Sequence, residues 1–163
     1  MSENARTRTI SWADPLTHTD AFRRMGGFEA LQAVMRGELP PPPIAVLMNI
    51  RIVEVEEGRV VFAGVPQEFH YNPIGSIHGG FAATIFDSAM GCAIHSMLPS
   101  GVGYTTLDLH VRFLRPLSHD TGEVRCEARA INVGKTIGTA DARLTDESGR
   151  LYGSATTSCA IFR

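Results

Sequence analysis

Asn72-Pro-Ile-Gly75-Ser-Ile-His78-Gly79-Gly80, running directly into Phe81-Ala-Ala-Thr-Ile-Phe-Asp87-Ser-Ala-Met-Gly-Cys-Ala-Ile, gathers the residue types of this chain that can do chemistry. A polar, Gly-rich turn opens an almost wholly apolar helix, and one carboxylate sits two turns inside it. The first N–H groups of a helix have no partner within it, so they can hold developing negative charge. A carboxylate within an apolar helix is costly unless it has a partner or a task. Together these features suggest a site that stabilises an oxyanion and supplies a base.

The N–H groups of Gly79 and Gly80 suit the first task. Without Cβ atoms they let a substrate carbonyl approach the backbone, and the helix dipole adds a favourable field. The structural alternative is that the two glycines only shape the turn. Asp87 is the candidate base or nucleophile, taking a proton from water or attacking an acyl carbon. Its alternative is a buried carboxylate bonded to Ser88 or a neighbouring loop. Asn72 has an amide able to orient a carbonyl or a water, but Asn-Pro is also an ordinary turn pair. His78 can hydrogen-bond a carbonyl or cap the helix entry, since its ring offers an N–H or a lone pair.

Eight residues separate Gly79 from Asp87, or about 12 Å along a helix axis. In a straight helix both cannot touch one carbonyl of the same substrate. Two antiparallel copies across a two-fold axis would bring Gly79 of one toward Asp87 of the other, making two sites by symmetry.

The elements that must position these groups follow from periodicity. Residues 1–17 are polar and aperiodic, which predicts loose order. Phe22, Met25, Leu31 and Met35 predict a helix from Thr19 to about Arg36, split by Gly26-Gly27. Pro40 to Pro43 forbid its continuation and predict a stiff, extended spacer. Met48 to Glu56 and Arg59 to Pro66 read as strands around Glu57-Gly58. After the motif helix, His78 to Leu98, come four strand-like runs: Gly103 to Leu114, Glu123 to Val133, Thr136 to Thr145 and Leu151 to Phe162. Short polar joints favour antiparallel hairpins. The helix is apolar nearly all round, through Phe81, Ile85, Phe86, Met90, Ile94 and Met97, so it must be surrounded. A curved antiparallel sheet wrapped around it gives an α+β architecture, with an exposed edge that a second subunit would cover. Residues 1–43 are expected as an N-terminal extension and 44–163 as the main domain.

With 163 residues, a formal net charge of −2, 44% hydrophobic and 20% charged residues, the chain fits one soluble globular domain. No basic patch dominates, so nucleic acid is not expected as a partner. Cys92, Cys126 and Cys159 form no CxxC pair, and His18, His70, His95, His110 and His119 lack metal-ligand spacing, so neither disulfides nor a metal are expected. Cys92 reads as an inert core thiol. Gly134-Lys135-Thr136 has the tail of a phosphate-binding loop, but Arg129 stands where its first glycine is required. The N-terminus has no apolar core for a secretory signal, and Phe81 to Leu98 is interrupted by Asp87, Ser88 and His95. A cytoplasmic protein with no membrane partner is therefore expected.

The element order resembles the hotdog-fold acyl-CoA thioesterases, in particular the phenylacetate-pathway branch of the 4-hydroxybenzoyl-CoA thioesterase superfamily. The likeness rests on Asn72-x-x-Gly75-x-x-His78-Gly79-Gly80, Asp87 and Thr106-Leu-Asp-Leu-His-Val-Arg-Phe-Leu-Arg-Pro116, and covers roughly residues 45–162. It implies a homodimer, often paired into a tetramer, that hydrolyses coenzyme A thioesters with no cofactor at sites shared between subunits. Thr106 matches the hydroxyl that helps place water in such enzymes, although a plain strand threonine is its structural reading. Arg115 and Lys135 are candidates for the coenzyme A phosphates, with solvated surface charge as the alternative. The acyl group is expected between the two long helices, among Phe81, Ile85 and the proline spacer or N-terminal helix. A hydratase or dehydratase with His78 as base, and a non-catalytic acyl-CoA-binding module, are the rival readings.

Overall fold

The computed structural model describes residues 5–16 and 19–162; His18 lies outside them. Two short helices, α1 (Thr19–Arg24) and α2 (Gly27–Met35), are followed by α3 (Pro43–Met48) and the hairpin β1 (Ile50–Glu56) and β2 (Arg59–Gly64). The long helix α4 (Gly79–His95) comes next, then β3 (Gly103–Phe113), β4 (Val124–Val133), β5 (Ile137–Asp146) and β6 (Leu151–Phe162). All strands join one antiparallel sheet in the order β1-β2-β4-β5-β6-β3. Helix α4 packs against β2, β3, β4, β5 and β6, so the sheet wraps it. This is the expected hotdog arrangement.

The helix is apolar all round because protein surrounds it. Phe81, Ile85, Phe86, Met90 and Ile94 are each exposed by 1% or less. Burying a side chain of this size stabilises by roughly 1.5–3 kcal/mol. Met97 departs from the expected set: it lies past the helix end and is half exposed. Three strands make room for α4 with glycine. A Cβ on Gly64 would lie 3.1 Å from Ile85, one on Gly138 2.8 Å from Ile94, and one on Gly153 3.3 Å from Phe86.

The proline run departs from expectation at its end. The stiff segment stops at Pro42, and Pro43 opens α3 where a spacer and then a strand from Met48 were expected. Proline is well suited to the first helical position, because its missing N–H would have no partner there. Asn49, at φ 54°, ends this helix and turns the chain into β1. Gly26-Gly27 does divide the N-terminal helix as expected. The reason is close approach, since a Cβ on Gly27 would fall 1.7 Å from the carbonyl oxygen of His95. That contact seats α2 on the last turn of α4.

Strand β3 forms one edge of the sheet and, among the described residues, is bonded only to β6. Leu107 on it is 58% exposed and Phe113 59%. An unpaired edge with apolar side chains is a ready template for another strand.

Candidate active site

The loop before α4 is wired by Asn72. Its Oδ1 accepts from the backbone N–H groups of Ile74 and Ser76, both at 3.1 Å, and its Nδ2 donates to Ser76 Oγ at 3.0 Å. The sequence offered a catalytic amide or a turn former, and the amide is engaged inside its own turn. Asn72 lines neither of the two cavities described below, and its side chain holds the loop together. The backbone N–H of His78 donates to the His70 carbonyl at 2.8 Å, fixing where the helix begins.

His78 caps α4. Its Nδ1 accepts from the Gly80 N–H at 2.8 Å. A ring nitrogen that accepts is unprotonated, which leaves Nε2 as the ring's donor. The cap engages the Gly80 N–H, one of the two donors named from the sequence, within the helix entry. Gly79, the first helical residue, uses its N–H in none of the loop or cap bonds among the described residues. It is the donor that remains, and the Phe113 ring lies over it, 3.0 Å from where a Cβ would stand.

Asp87 lies half-buried two turns further on. Thr106 Oγ1 on β3 donates to its Oδ1 at 2.8 Å, and Cys159 Sγ lies 4.0 Å behind the threonine oxygen. Thr106 and Cys159 are register partners on β3 and β6, so sheet pairing places this hydroxyl. The carboxylate opens onto a cavity of about 600 Å³. Ser88, Cys92, Tyr104 and Thr106 line it beside Asp87, with Phe22, residues of α2 and the proline run on the other sides.

A second cavity, of about 450 Å³, lies at the start of α4 and is lined by His78, Gly79, Phe113 and Arg115 among others. The two cavities share no lining residue. Within one chain, the donor end and the carboxylate therefore face different spaces, as the helix rise requires. Arg115 sits at the donor end, its guanidinium donating to the Leu151 carbonyl. Lys135 lies in the β4–β5 turn, near the opposite end of β6, where Ile137 pairs with Ala160. That is about 30 Å away at the rise of a strand. One chain does not bring these two cations together.

Phe81 and Ile85, named from the sequence for the acyl group, are fully buried in this chain. Both are core residues between α4 and the sheet and line neither cavity. Two residues that the sequence reading did not name as site candidates, Ser88 and Tyr104, line the cavity beside Asp87. Simple signals mark both: Ser88 follows Asp87, and Tyr104 shares a strand face with Thr106 at spacing two.

The remaining titratable groups explain what the site does not use. Burial pushes the Cys92 thiol up to about 12, against which a bond from Tyr104 acts weakly, so the sulfur stays protonated and is a poor nucleophile. Burial also raises Tyr104 well above its ordinary value. His70 is held below its ordinary value by burial and then by the Arg8 cation, and His95 by burial. Among the described residues no group of three or more His, Cys, Asp or Glu is arranged to hold a metal ion. No described helix is long and apolar enough to cross a membrane.

Comparisons with known proteins match the part of the chain that carries these residues. A family model described as the thioesterase superfamily matches residues 74–152, the segment that contains Gly79, Asp87 and Thr106. The 1,4-dihydroxy-2-naphthoyl-CoA hydrolase of Listeria monocytogenes is 30% identical over 105 residues, covering 64% of this chain and 83% of that protein. A Halobacterium salinarum protein named as an esterase is 42% identical over 69 residues, but the match spans only 41% of this chain and 44% of that relative. A crystal structure of a phenylacetic acid degradation-related protein from Ralstonia eutropha superimposes with a TM-score of 0.72 at 27% identity. It covers 80% of this chain and 98% of that one. The wrapped helix, the capped glycine turn, the Asp87–Thr106 pair and these likenesses lead to one assignment: the chain is a hotdog-fold member of the thioesterase superfamily.

Proposed function

We propose that this chain hydrolyses acyl-CoA thioesters to the free acid and coenzyme A, at sites shared by two copies. The observation that carries the reading is the Asp87 carboxylate, held by Thr106 at 2.8 Å at the edge of a large apolar cavity. One oxygen is fixed by the hydroxyl, and no described residue hydrogen-bonds the other. That oxygen can take a proton from water as the water attacks the acyl carbon, or attack the carbon itself. Negative charge then develops on the thioester oxygen and needs a fixed donor. Gly79 of the other copy supplies it, because an antiparallel pair of α4 helices overcomes the separation along one helix. Collapse of the tetrahedral intermediate expels the coenzyme A thiolate, which takes up a proton; on the base route this leaves the acid, and on the nucleophile route it leaves an anhydride with Asp87 that water then cleaves to the acid and the free carboxylate.

Two further features support the dimer. The β3 edge is open with exposed Leu107 and Phe113, and it bears Thr106, so a second copy paired there lies beside the carboxylate. The printed name of the Listeria relative, a coenzyme A thioester hydrolase, supports the substrate class.

The test is release of free thiol from a panel of acyl-CoAs by the purified chain. Asp87→Asn and Asp87→Ala are expected to lose about 10²-fold or more in turnover. Unchanged hydrolysis in both variants removes Asp87 from the mechanism. Acyl-CoA binding without thiol release favours a binding module instead, and loss of enoyl absorbance without thiol release favours a hydratase.

A further inference from the structure

The cavity beside Asp87 has two sets of walls of different origin. Asp87, Ser88, Cys92, Tyr104 and Thr106 belong to the segment matched by the family model. All its other lining residues lie between positions 13 and 62, outside that segment. Leu31, Val34 and Met35 come from one face of α2, at the i, i+3, i+4 spacing that puts side chains together. Leu39 and Pro40 to Pro43 continue the wall, and Phe62 closes it from the sheet.

This wall is built to hold its shape. Each proline fixes its own φ, and α2 is anchored by buried Leu31 and by the contact of Gly27 with the His95 carbonyl. Its chemistry is equally selective. The charged lining residues besides Asp87 are Asp14, Arg23 and Arg51, and all three are exposed, so they belong to the solvent rim. The inner wall offers side-chain carbon and no cation. A charged acyl terminus would be desolvated there without a partner.

Accepting thioester hydrolysis at Asp87, on which this rests, we infer that α2 and the proline run form a gauge for the acyl group. They select an uncharged, apolar acyl group larger than acetyl. A cavity of about 600 Å³ has room for roughly twenty water-sized units at about 30 Å³ each. Acetyl leaves it nearly empty. Each further methylene buried is worth about a three- to fourfold gain in kcat/KM until the wall is reached. Catalysis thus resides in the family segment and selectivity in the extension.

The experiment compares kcat/KM for acetyl-, hexanoyl-, decanoyl- and succinyl-CoA in the full chain and in two variants of opposite effect. Val34→Phe fills the cavity and is expected to lower the decanoyl-to-hexanoyl ratio at least tenfold. Met35→Ala enlarges it and is expected to raise that ratio. Thermal melts of both variants within a few degrees of the parent show that the fold is intact, and each variant checks the other. Ratios unchanged within twofold in both, with hydrolysis still dependent on Asp87, overturn the gauge and leave the hydrolase standing. A parent chain that prefers acetyl or succinyl does the same. No thiol release from any acyl-CoA overturns the gauge and the proposed activity together.

Discussion

Gly79 is the residue on which the oxyanion proposal can be tested most cleanly, because its position tolerates the one side chain that removes an N–H. It is the first residue of α4, and His78 before it is extended at φ −60° and ψ 138°. Proline suits that helical position, and the residue before proline prefers that extended conformation. Gly79→Pro therefore deletes the donor and keeps the helix, with the exposed Phe113 ring shifting to admit the new carbons. Turnover is expected to fall about 10²- to 10³-fold with little change in melting temperature. Retained turnover in a folded Gly79→Pro protein would mean that this N–H does not stabilise the transition state. The same loop shows how two readings of a residue can share one motif. Gly80 and Asn72 carry the right groups for chemistry, but the cap and the Asx-type turn occupy them first.

At the scale of elements, the C-terminal turn of α4 carries a latent pH response. His95 is buried, stacked on Phe22 of α1 with ring centres 5.2 Å apart and tilted against Tyr104 of β3. Neither ring nitrogen has a hydrogen-bond partner among the described residues. Burial lowers its pKa below the ordinary 6.5, so the unfolded chain binds the proton more readily. Stability is then complete above about pH 6.5 and is lost as pH falls toward the folded-state pKa. His70, also lowered by burial, has the same sign. The melting temperature is expected to fall between pH 6.5 and 5. His95→Phe should reduce that fall by about 3–5 °C per pH unit, the equivalent of one proton's linkage in a chain of this size. An identical slope in parent and variant would show that His95 does not contribute.

At the scale of the whole molecule, the separate cavities of Gly79 and Asp87 make a quantitative forecast for mixed assemblies. Homodimers of Gly79→Pro lack the donor at both sites, and homodimers of Asp87→Asn lack the acid at both. A mixed dimer has one site with both defects and one with neither. Random re-association of equal amounts gives half mixed dimers, each with one intact site. About a quarter of parental activity is therefore expected on mixing, against almost none from either variant alone. Light scattering on the same samples should report a mass of at least two chains. A strictly monomeric protein, or a mixture as inactive as its parts, would exclude a site shared across a two-fold axis.

How much was legible in the sequence follows from the range of each interaction. Local rules sufficed for the helix split at Gly26-Gly27, the hairpin around Gly58 and the strands after α4, because turn chemistry and spacing act over a few residues. The apolar circumference of α4 also announced that a sheet must wrap it. Proline was misread at Pro43 because its prohibition applies within a helix and not at its first position. The lining of the cavity beside Asp87 was not legible, because a helix apolar on every side gives no hint of which face meets protein and which meets open space. Only the tertiary fold decided that. Asp87 was evident as an acid needing a purpose, while its bond to Thr106 depends on the pairing of β3 with β6 far along the chain. Sequence by itself thus determined the elements and the reactive groups, whose preferences are set by near neighbours. The tertiary structure alone decided which groups are already satisfied and which remain open, since satisfaction depends on partners that are distant in the chain.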